Sequence, residues 1–349
     1  MEETHCQVKE KTEEVYAMGY TGLLNMIISG GGDDAITLHV RDGLDYQIGE
    51  VIEGLDDSVI FATFVRGMNP VAVTMDGTVV YLDIDSPETL KCVEHFEENI
   101  HPVSLNLDVS TAALSSCESW LYIGTTDGAI TRVSASLPPP YTQDTHAVYM
   151  GHPSDVLVIE AVNEVIYTAS HTQVILFCAE TGATLKKYLS QEEGEIRTMK
   201  VHPTGKVVAL GYSTGAVVLL SNSQTTNQGL LTVYRAEMSL PVESLAFVED
   251  KLLYGGFDSV LKVVDLKYKT ETECAFKEDA SCIVKIIPLN ASIAIAAITN
   301  GKVFIVDIRT NNKILKEFSI PCTITDIMLC GNLLCAATSE GVEVIDLTK

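Results

Sequence analysis

The chain has 349 residues, 46% hydrophobic and 20% charged, with 23 Lys and Arg against 47 Asp and Glu, a formal net charge of −24. That composition is too apolar for a disordered chain, and its field repels nucleic acid and anionic membranes while attracting basic partners. No apolar run approaches the ~18 residues that cross a bilayer, and the polar, mostly acidic Met1–Glu14 is neither a secretory signal nor a transit peptide, so a cytoplasmic location, with the nucleus as the other option, is expected.

The first element is a polar stretch, residues 1–12, expected as a flexible acidic tail. The strand-like EVYAMG (Glu14 to Gly19) follows it. From Met26 onward one pattern repeats: an apolar strand, a turn of small residues with Asp or Gly, then a strand often ending apolar-Asp-apolar. The copies are MIISGGGDDAITLHV (from Met26), VAVTMDGTVVYLDI (Val71), LYIGTTDGAITRVS (Leu121) and VIYTASHTQVILFC (Val165). They continue as VVALGYSTGAVVLL (Val207), LLYGGFDSVLKVVDL (Leu252), IAIAAITNGKVFIVDI (Ile293) and LLCAATSEGVEVIDL (Leu333). Intervals of roughly 40–50 residues match the blade length of a β-propeller. Strands rich in Val, Ile, Leu and Tyr, apolar on both faces, suit blades packed between two neighbours, and the turns carry hairpin residues.

The sequence therefore predicts an all-β fold: a single closed propeller over residues 13–349, with eight blades. The last copy ends at Leu347, leaving no room for that blade's outer strand, so the segment Glu14–Gly19 is expected to pair there and close the ring. The Pro-rich LPPPY (Leu137 to Tyr141) is expected as a loop within the third blade.

Nucleotide and protease motifs are missing, and no enzyme is expected. The Gly30–Asp34 cluster would turn two carboxylates on a phosphate, and it ends a repeat strand instead of opening a helix, so it reads as a turn. Nine scattered cysteines without a C-x-x-C pair argue for reduced thiols, with neither a disulfide framework nor a metal. His152 after Gly151 and His202 in VHPTGK read as structural, and Trp120 as a core filler. No cofactor is expected.

The acids are placed unevenly. In a propeller, one rim is built from the loops joining one blade's outer strand to the next blade's inner strand, together with each blade's second turn. The joining loops are read as EGLDDS with Asp56 and Asp57, EENIHP with Glu97 and Glu98, and GHPSD with Asp155. Further loops are QEEGE with Glu192, Glu193 and Glu195, AEMSLP with Glu237, and KEDAS with Glu278 and Asp279. The second turns add Asp33, Asp34, Asp76, Asp127 and Asp258, with Glu340 in the last copy. His101 and Lys277 are the exceptions, whereas Lys186, Lys187, Lys262, Lys267, Lys269, Lys313 and Lys316 fall in third and fourth strands or the turns between them. One acidic face is expected, a dock for a basic protein or peptide.

Several segments resemble one family of WD-repeat proteins, which includes the angio-associated migratory cell protein and its fungal counterpart. They are the Gly31–Asp34 turn, Asp57-Ser58-Val59, IGTTDGAIT (Ile123 to Thr131), VESLAF (Val242 to Phe247) and VDIRTNNKILKEF (Val306 to Phe318). Trp-Asp endings are absent, replaced by LHV, LDI, VDL, VDI and IDL. The resemblance implies an eight-bladed propeller acting as a dedicated chaperone. Its partner would be a newly made, basic protein of the large ribosomal subunit (the L-sixteen family), held by its N-terminal segment. A monomer without nucleic-acid or membrane contacts follows from that role. The alternative is a WD-repeat scaffold subunit of a multiprotein complex.

Overall fold

A computed structural model describes residues 6–8, 13–43, 45–84, 99–135, 147–190, 192–222, 230–235, 240–276, 281–309 and 312–348. Among the described residues every element is a strand, and these strands form eight four-stranded antiparallel sheets. Seven sheets use four consecutive strands. Blade 1 is β2 (Val15–Thr21), β3 (Met26–Gly31), β4 (Ile36–Asp42) and β5 (Asp45–Ile52). Blade 2 is β6 (Val59–Val65), β7 (Asn69–Thr74), β8 (Thr78–Leu82) and β9 (Ile100–Ser104). Blade 3 is β10 (Val109–Leu114), β11 (Trp120–Thr125), β12 (Ala129–Ser134) and β13 (Ala147–Met150).

Blade 4 is β14 (Val158–Val162), β15 (Val165–Ala169), β16 (Gln173–Cys178) and β17 (Thr184–Leu189). Blade 5 is β18 (Ile196–Val201), β19 (Val207–Tyr212), β20 (Ala216–Ser221) and β21 (Leu230–Arg235). Blade 6 is β22 (Val242–Val248), β23 (Lys251–Gly256), β24 (Val260–Asp265) and β25 (Thr270–Ala275), and blade 7 is β26 (Ile283–Asn290), β27 (Ile293–Ile298), β28 (Lys302–Asp307) and β29 (Lys313–Ser319). Blade 8 takes β30 (Ile324–Cys330), β31 (Leu333–Thr338) and β32 (Gly341–Asp346), and completes itself with β1 (Cys6–Val8). The fold is an eight-bladed β-propeller.

Two compact units divide the chain. The first holds residues 1–126, 130–148 and 325–349, with blades 1, 2 and 8 and most of blade 3; the second holds residues 127–129 and 149–324, with blades 4–7. Within the first unit, separate apolar clusters lie between blades 1 and 2 (Ile28, Leu38, Val59, Phe64), blades 2 and 3 (Val73, Tyr81, Leu121, Ile123) and blades 8 and 1 (Ile27, Tyr46, Cys335, Val344). In the second, clusters join blades 4 and 5, 5 and 6, and 6 and 7. The sheets of blades 1, 2, 5 and 6 thus bury both faces against neighbours, which is why their middle strands read as continuous apolar runs rather than alternating ones.

Closure uses an N-terminal strand, but a different one from that expected. Cys6, Gln7 and Val8 pair with Val344, Glu343 and Val342, whereas Val15–Thr21, overlapping the expected Glu14–Gly19, is the inner strand of blade 1. The closing strand therefore lies inside the stretch read as a flexible tail. VYAMGYT was misassigned because β2 is buried on alternate residues like any inner strand, and sequence alone does not say which sheet it joins. The stretch LPPPY lies outside the described residues.

Candidate protein-docking edge

One hydrogen bond recurs from blade to blade. The peptide N–H just past the second strand donates to a carbonyl just ahead of the same blade's first strand: Gly32 to Glu14 (3.0 Å), Met75 to Ser58 (2.9 Å), Thr126 to Asp108 (2.9 Å), Ser213 to Glu195 (2.9 Å), Phe257 to Pro241 (3.1 Å) and Thr299 to Cys282 (2.9 Å). Each blade's second turn and the segment leading into it therefore sit at one end of the sheet. This is the end where the sequence puts its acids.

In the first unit, Gly31 permits the blade 1 turn, since a Cβ there would stand 1.9 Å from the Glu14 carbonyl oxygen. Asp34 adopts φ 51°, a left-handed conformation that Asp tolerates better than most residues. Its carboxylate accepts from Ser58 Oγ at 3.3 Å, and its carbonyl accepts from Leu55 N–H at 3.3 Å. The turn of blade 1 is thereby joined to the segment leading into blade 2, and Asp33, Asp34, Asp56 and Asp57 are gathered together. Asp57 Oδ1 accepts from Ser58 N–H at 2.7 Å, while Asp56 is exposed.

Asp76 is more committed to the fold. Its carboxylate accepts from the Thr74 hydroxyl, from Thr78 N–H at 3.2 Å and from Thr78 Oγ1 at 3.0 Å. Burial works to raise this carboxyl's pKa, but the Thr74 and Thr78 hydrogen bonds together outweigh it and hold the group below its ordinary value. Asp76 caps a tight turn and stays charged.

In the second unit, Asp127 is exposed, with Oδ1 3.3 Å from Ala129 N–H. Around blade 4, His171 in the second turn lies between two acids of successive lead-in segments, with Nε2 3.1 Å from Asp155 Oδ1 and Nδ1 3.5 Å from Glu195 Oε2. Glu193 and Glu195 are exposed and Glu192 half-buried, on a segment tied down by Glu195 N–H to Ser213 Oγ (3.0 Å) and Thr214 Oγ1 to the Glu193 carbonyl (3.2 Å).

Several expectations need correcting or completing. Asp258 is not free for a partner, because its Oδ2 lies 3.3 Å from Lys262 Nζ, whose side chain is 5% exposed. Lys262, expected toward the outer edge, is buried there, with Glu273 at 3.8 Å and the Tyr254 ring at 5.6 Å. A buried ammonium needs those partners: Asp258 is four residues away in the turn, and Tyr254 and Glu273 come from the strands on either side of β24. Glu97 and Glu98, with Glu237, Glu278 and Asp279, lie outside the described residues. However, Ile100–Ser104 is the outer strand of blade 2, so the segment leading into blade 3 is 105–108 rather than EENIHP. Pro102 obscured that strand, since proline reads as a loop although an outer strand accepts it. Trp120 does not fill a core: it is half-buried at the start of β11, under the Arg132 guanidinium 4.4 Å from its ring.

The edge also holds residues that the sequence reading passed over. Glu13 and Asp108 are exposed acids of lead-in segments, missed because the strands on either side were misplaced. Met75 and Phe257 are exposed apolar side chains, 43% and 50% accessible, next to Asp76 and Asp258. An apolar residue between a strand end and a turn Asp, as in TMDG and GFDS, is the signal that would have found them.

His152 and His202 are structural. His152 Nε2 pairs with Thr168 Oγ1 (2.7 Å), whose hydroxyl donates to the Ile175 carbonyl (3.0 Å), locking blade 4. Burial first, and Lys187 second, push its pKa down to about 4. His202 spans the turn between β18 and β19 through Thr204 Oγ1 (2.7 Å).

Repeated four-stranded antiparallel sheets, six of them tying the second turn to the segment leading into the same blade, define a β-propeller built from repeats. The WD40-like domain family matches residues 13–345, and the chain belongs to that family. No curated protein matches the sequence. Among solved structures, Sqt1 of Saccharomyces cerevisiae is similar, with 17% identity, a TM-score of 0.81 and 99% of each chain covered. Sqt1 of Chaetomium thermophilum bound to the N-terminus of the ribosomal protein L10 is similar too, with 18% identity, a TM-score of 0.79, and 97% of this chain and 98% of that one covered. A computationally designed protein, Ika8, is also similar at 18% identity and a TM-score of 0.76, covering 96% of this chain and 97% of that one.

Proposed function

We propose that this protein is a non-catalytic chaperone that holds the basic N-terminal segment of a ribosomal protein against the acid-bearing ends of its blades. The observation that carries this reading is the recurring hydrogen bond from second turn to lead-in segment. Together with the His171 contacts of blade 4, it collects Glu13, Asp33, Asp34, Asp56, Asp57, Asp76 and Asp108 in one unit and Asp127, Asp155, Glu192, Glu193 and Glu195 in the other at equivalent blade ends. Support comes from the likeness to Sqt1, solved with the N-terminus of ribosomal protein L10, and from the net charge of −24. Within that reading, the L-sixteen family is the partner class.

Exposed pairs contribute only ~0.2–1 kcal/mol each, so affinity grows from many weak contacts and falls with salt. Exposed Met75 and Phe257 give a bound segment apolar contacts beside its arginines or lysines. The test is titration of the purified protein with the N-terminal segment of a large-subunit ribosomal protein at rising ionic strength. Tight binding that weakens steeply with salt supports the proposal, whereas salt-insensitive binding or none refutes it. A scaffold role is the second reading, favoured by the family's fold; it predicts several constant neighbours in pull-downs instead of one basic ribosomal protein at near-equal stoichiometry.

A further inference from the structure

Blade 4 ends in an open edge of a kind that the outer strands of blades 6 and 7 do not share. β17 is the last strand of its sheet, and its pattern TLKKYL exposes Leu185 (55%), Lys187 and Leu189 (67%). The outer strand of blade 6 instead exposes Thr270, Glu271, Thr272 and Glu273, and that of blade 7 flanks Leu315 with Lys313 and Glu317. Tyr188 and Lys186 are turned toward blade 5, where the Tyr188 hydroxyl donates to the Ser221 carbonyl at 2.6 Å and Lys186 Nζ does so at 3.4 Å. Leu185, Lys187 and Leu189 are left on the exposed side, as an apolar-basic-apolar stripe.

The backbone is presented to match. Ser190 N–H donates to the Thr172 carbonyl at 2.8 Å, and the register sets Tyr188 against Val174 and Lys187 against Ile175. Antiparallel ladders alternate, so Tyr188 and Ser190 bond inward, and the Lys187 and Leu189 peptide groups point away from β16. An open apolar edge of this kind templates another strand.

We propose that this edge is a second docking surface, where an extended partner segment of alternating apolar and acidic residues adds beside β17. Its side chains cover Leu185 and Leu189, and a carboxylate meets Lys187, an exposed cation on a chain with net charge −24. A second copy of this chain is the poorer occupant. Two-fold antiparallel pairing about Lys187 sets ammonium against ammonium, which destabilises a cross-strand pair, and it brings two strongly acidic molecules together. Lys187 therefore disfavours self-pairing and favours an acidic strand. This surface does not depend on the acidic blade ends.

The probe is a short fluorescein-labelled peptide alternating valine and glutamate, with an uncharged valine–glutamine peptide as control, titrated into the full chain by fluorescence anisotropy. The valine–glutamate peptide is expected to bind the wild type at least about tenfold more tightly than it binds Lys187→Glu or Leu189→Lys. Lys187→Glu is expected to abolish the preference for the valine–glutamate peptide over the valine–glutamine one, while Asp56→Lys/Asp57→Lys leaves that preference in place. Circular dichroism melts establish that each variant is folded. Failure of the valine–glutamate peptide to bind, equal binding to Lys187→Glu, or a wild-type dimer in sedimentation that Leu189→Lys abolishes would each overturn the proposal.

Discussion

Asp34 and Ser58, 24 residues apart, meet where the second turn of blade 1 reaches the segment leading into blade 2, with Ser58 Oγ 3.3 Å from Asp34 Oδ1. The contact sits on a left-handed residue, so two effects separate on mutation. Asp34→Ala is expected to cost about 1–2 kcal/mol through backbone strain, Asp34→Gly less, and Ser58→Ala about 0.5–1.5 kcal/mol. Urea unfolding would check the order; equal losses for Asp34→Ala and Asp34→Gly would show that strain is not the source.

Charge reversal tests the docking edge. Lysine at Asp56 and Asp57, or at Glu192 and Glu193, is expected to weaken binding of a basic ribosomal segment more than alanine does, since reversal adds repulsion to the lost attraction. The association rate should fall most, because these acids act on encounter. Stopped-flow measurement at two salt concentrations reads this directly.

Asp258 should behave differently from the exposed acids. Its carboxylate serves Lys262, which is buried. Removing one partner of a buried pair costs about 3–5 kcal/mol. Lys262→Ala is therefore expected to lower the melting temperature sharply, and Asp258→Asn to lower it more than Asp57→Asn while weakening partner binding less.

His152 gives the fold an acid sensitivity of defined sign. Its pKa is near 4 in the folded protein against 6.5 when exposed, with burial the main cause. A depressed histidine contributes stability that is fully present above pH 6.5 and is lost as pH falls toward 4, because the unfolded chain takes up the proton first. At about 1.4 kcal/mol per pH unit, the loss approaches about 3 kcal/mol at pH 4. Denaturant midpoints measured across this range for the wild type and His152→Gln should converge as pH falls.

Blade 8 depends on three residues from the other end of the chain. Deleting residues 1–8 removes the pairing of Cys6–Val8 with Val342–Val344. At ~0.5–1.5 kcal/mol per hydrogen bond, a loss of about 2–4 kcal/mol is expected. The exposed edge of β32 should also promote aggregation on heating, visible by light scattering.

The fold was legible because it is written locally. Eight copies of strand, turn and strand, each with turn residues at fixed offsets, specify hairpins without reference to distant residues. The acids of the second turns, Asp33, Asp34, Asp76 and Asp127, were found for the same reason. What sequence could not supply was pairing between remote segments. Cys6–Val8 looks like a tail until β32 offers it a ladder, and Ile100–Ser104 looks like a loop until β8 (Thr78–Leu82) lies beside it. Asp258 looks like its fellow turn acids until folding buries Lys262 against it, and His171 stands alone in sequence until Asp155 and Glu195 flank it. Local backbone preference and hydrophobic pattern act over a few residues and are read from the chain; solvent exclusion and charge pairing depend on which residues end up adjacent, and only the tertiary structure decides that.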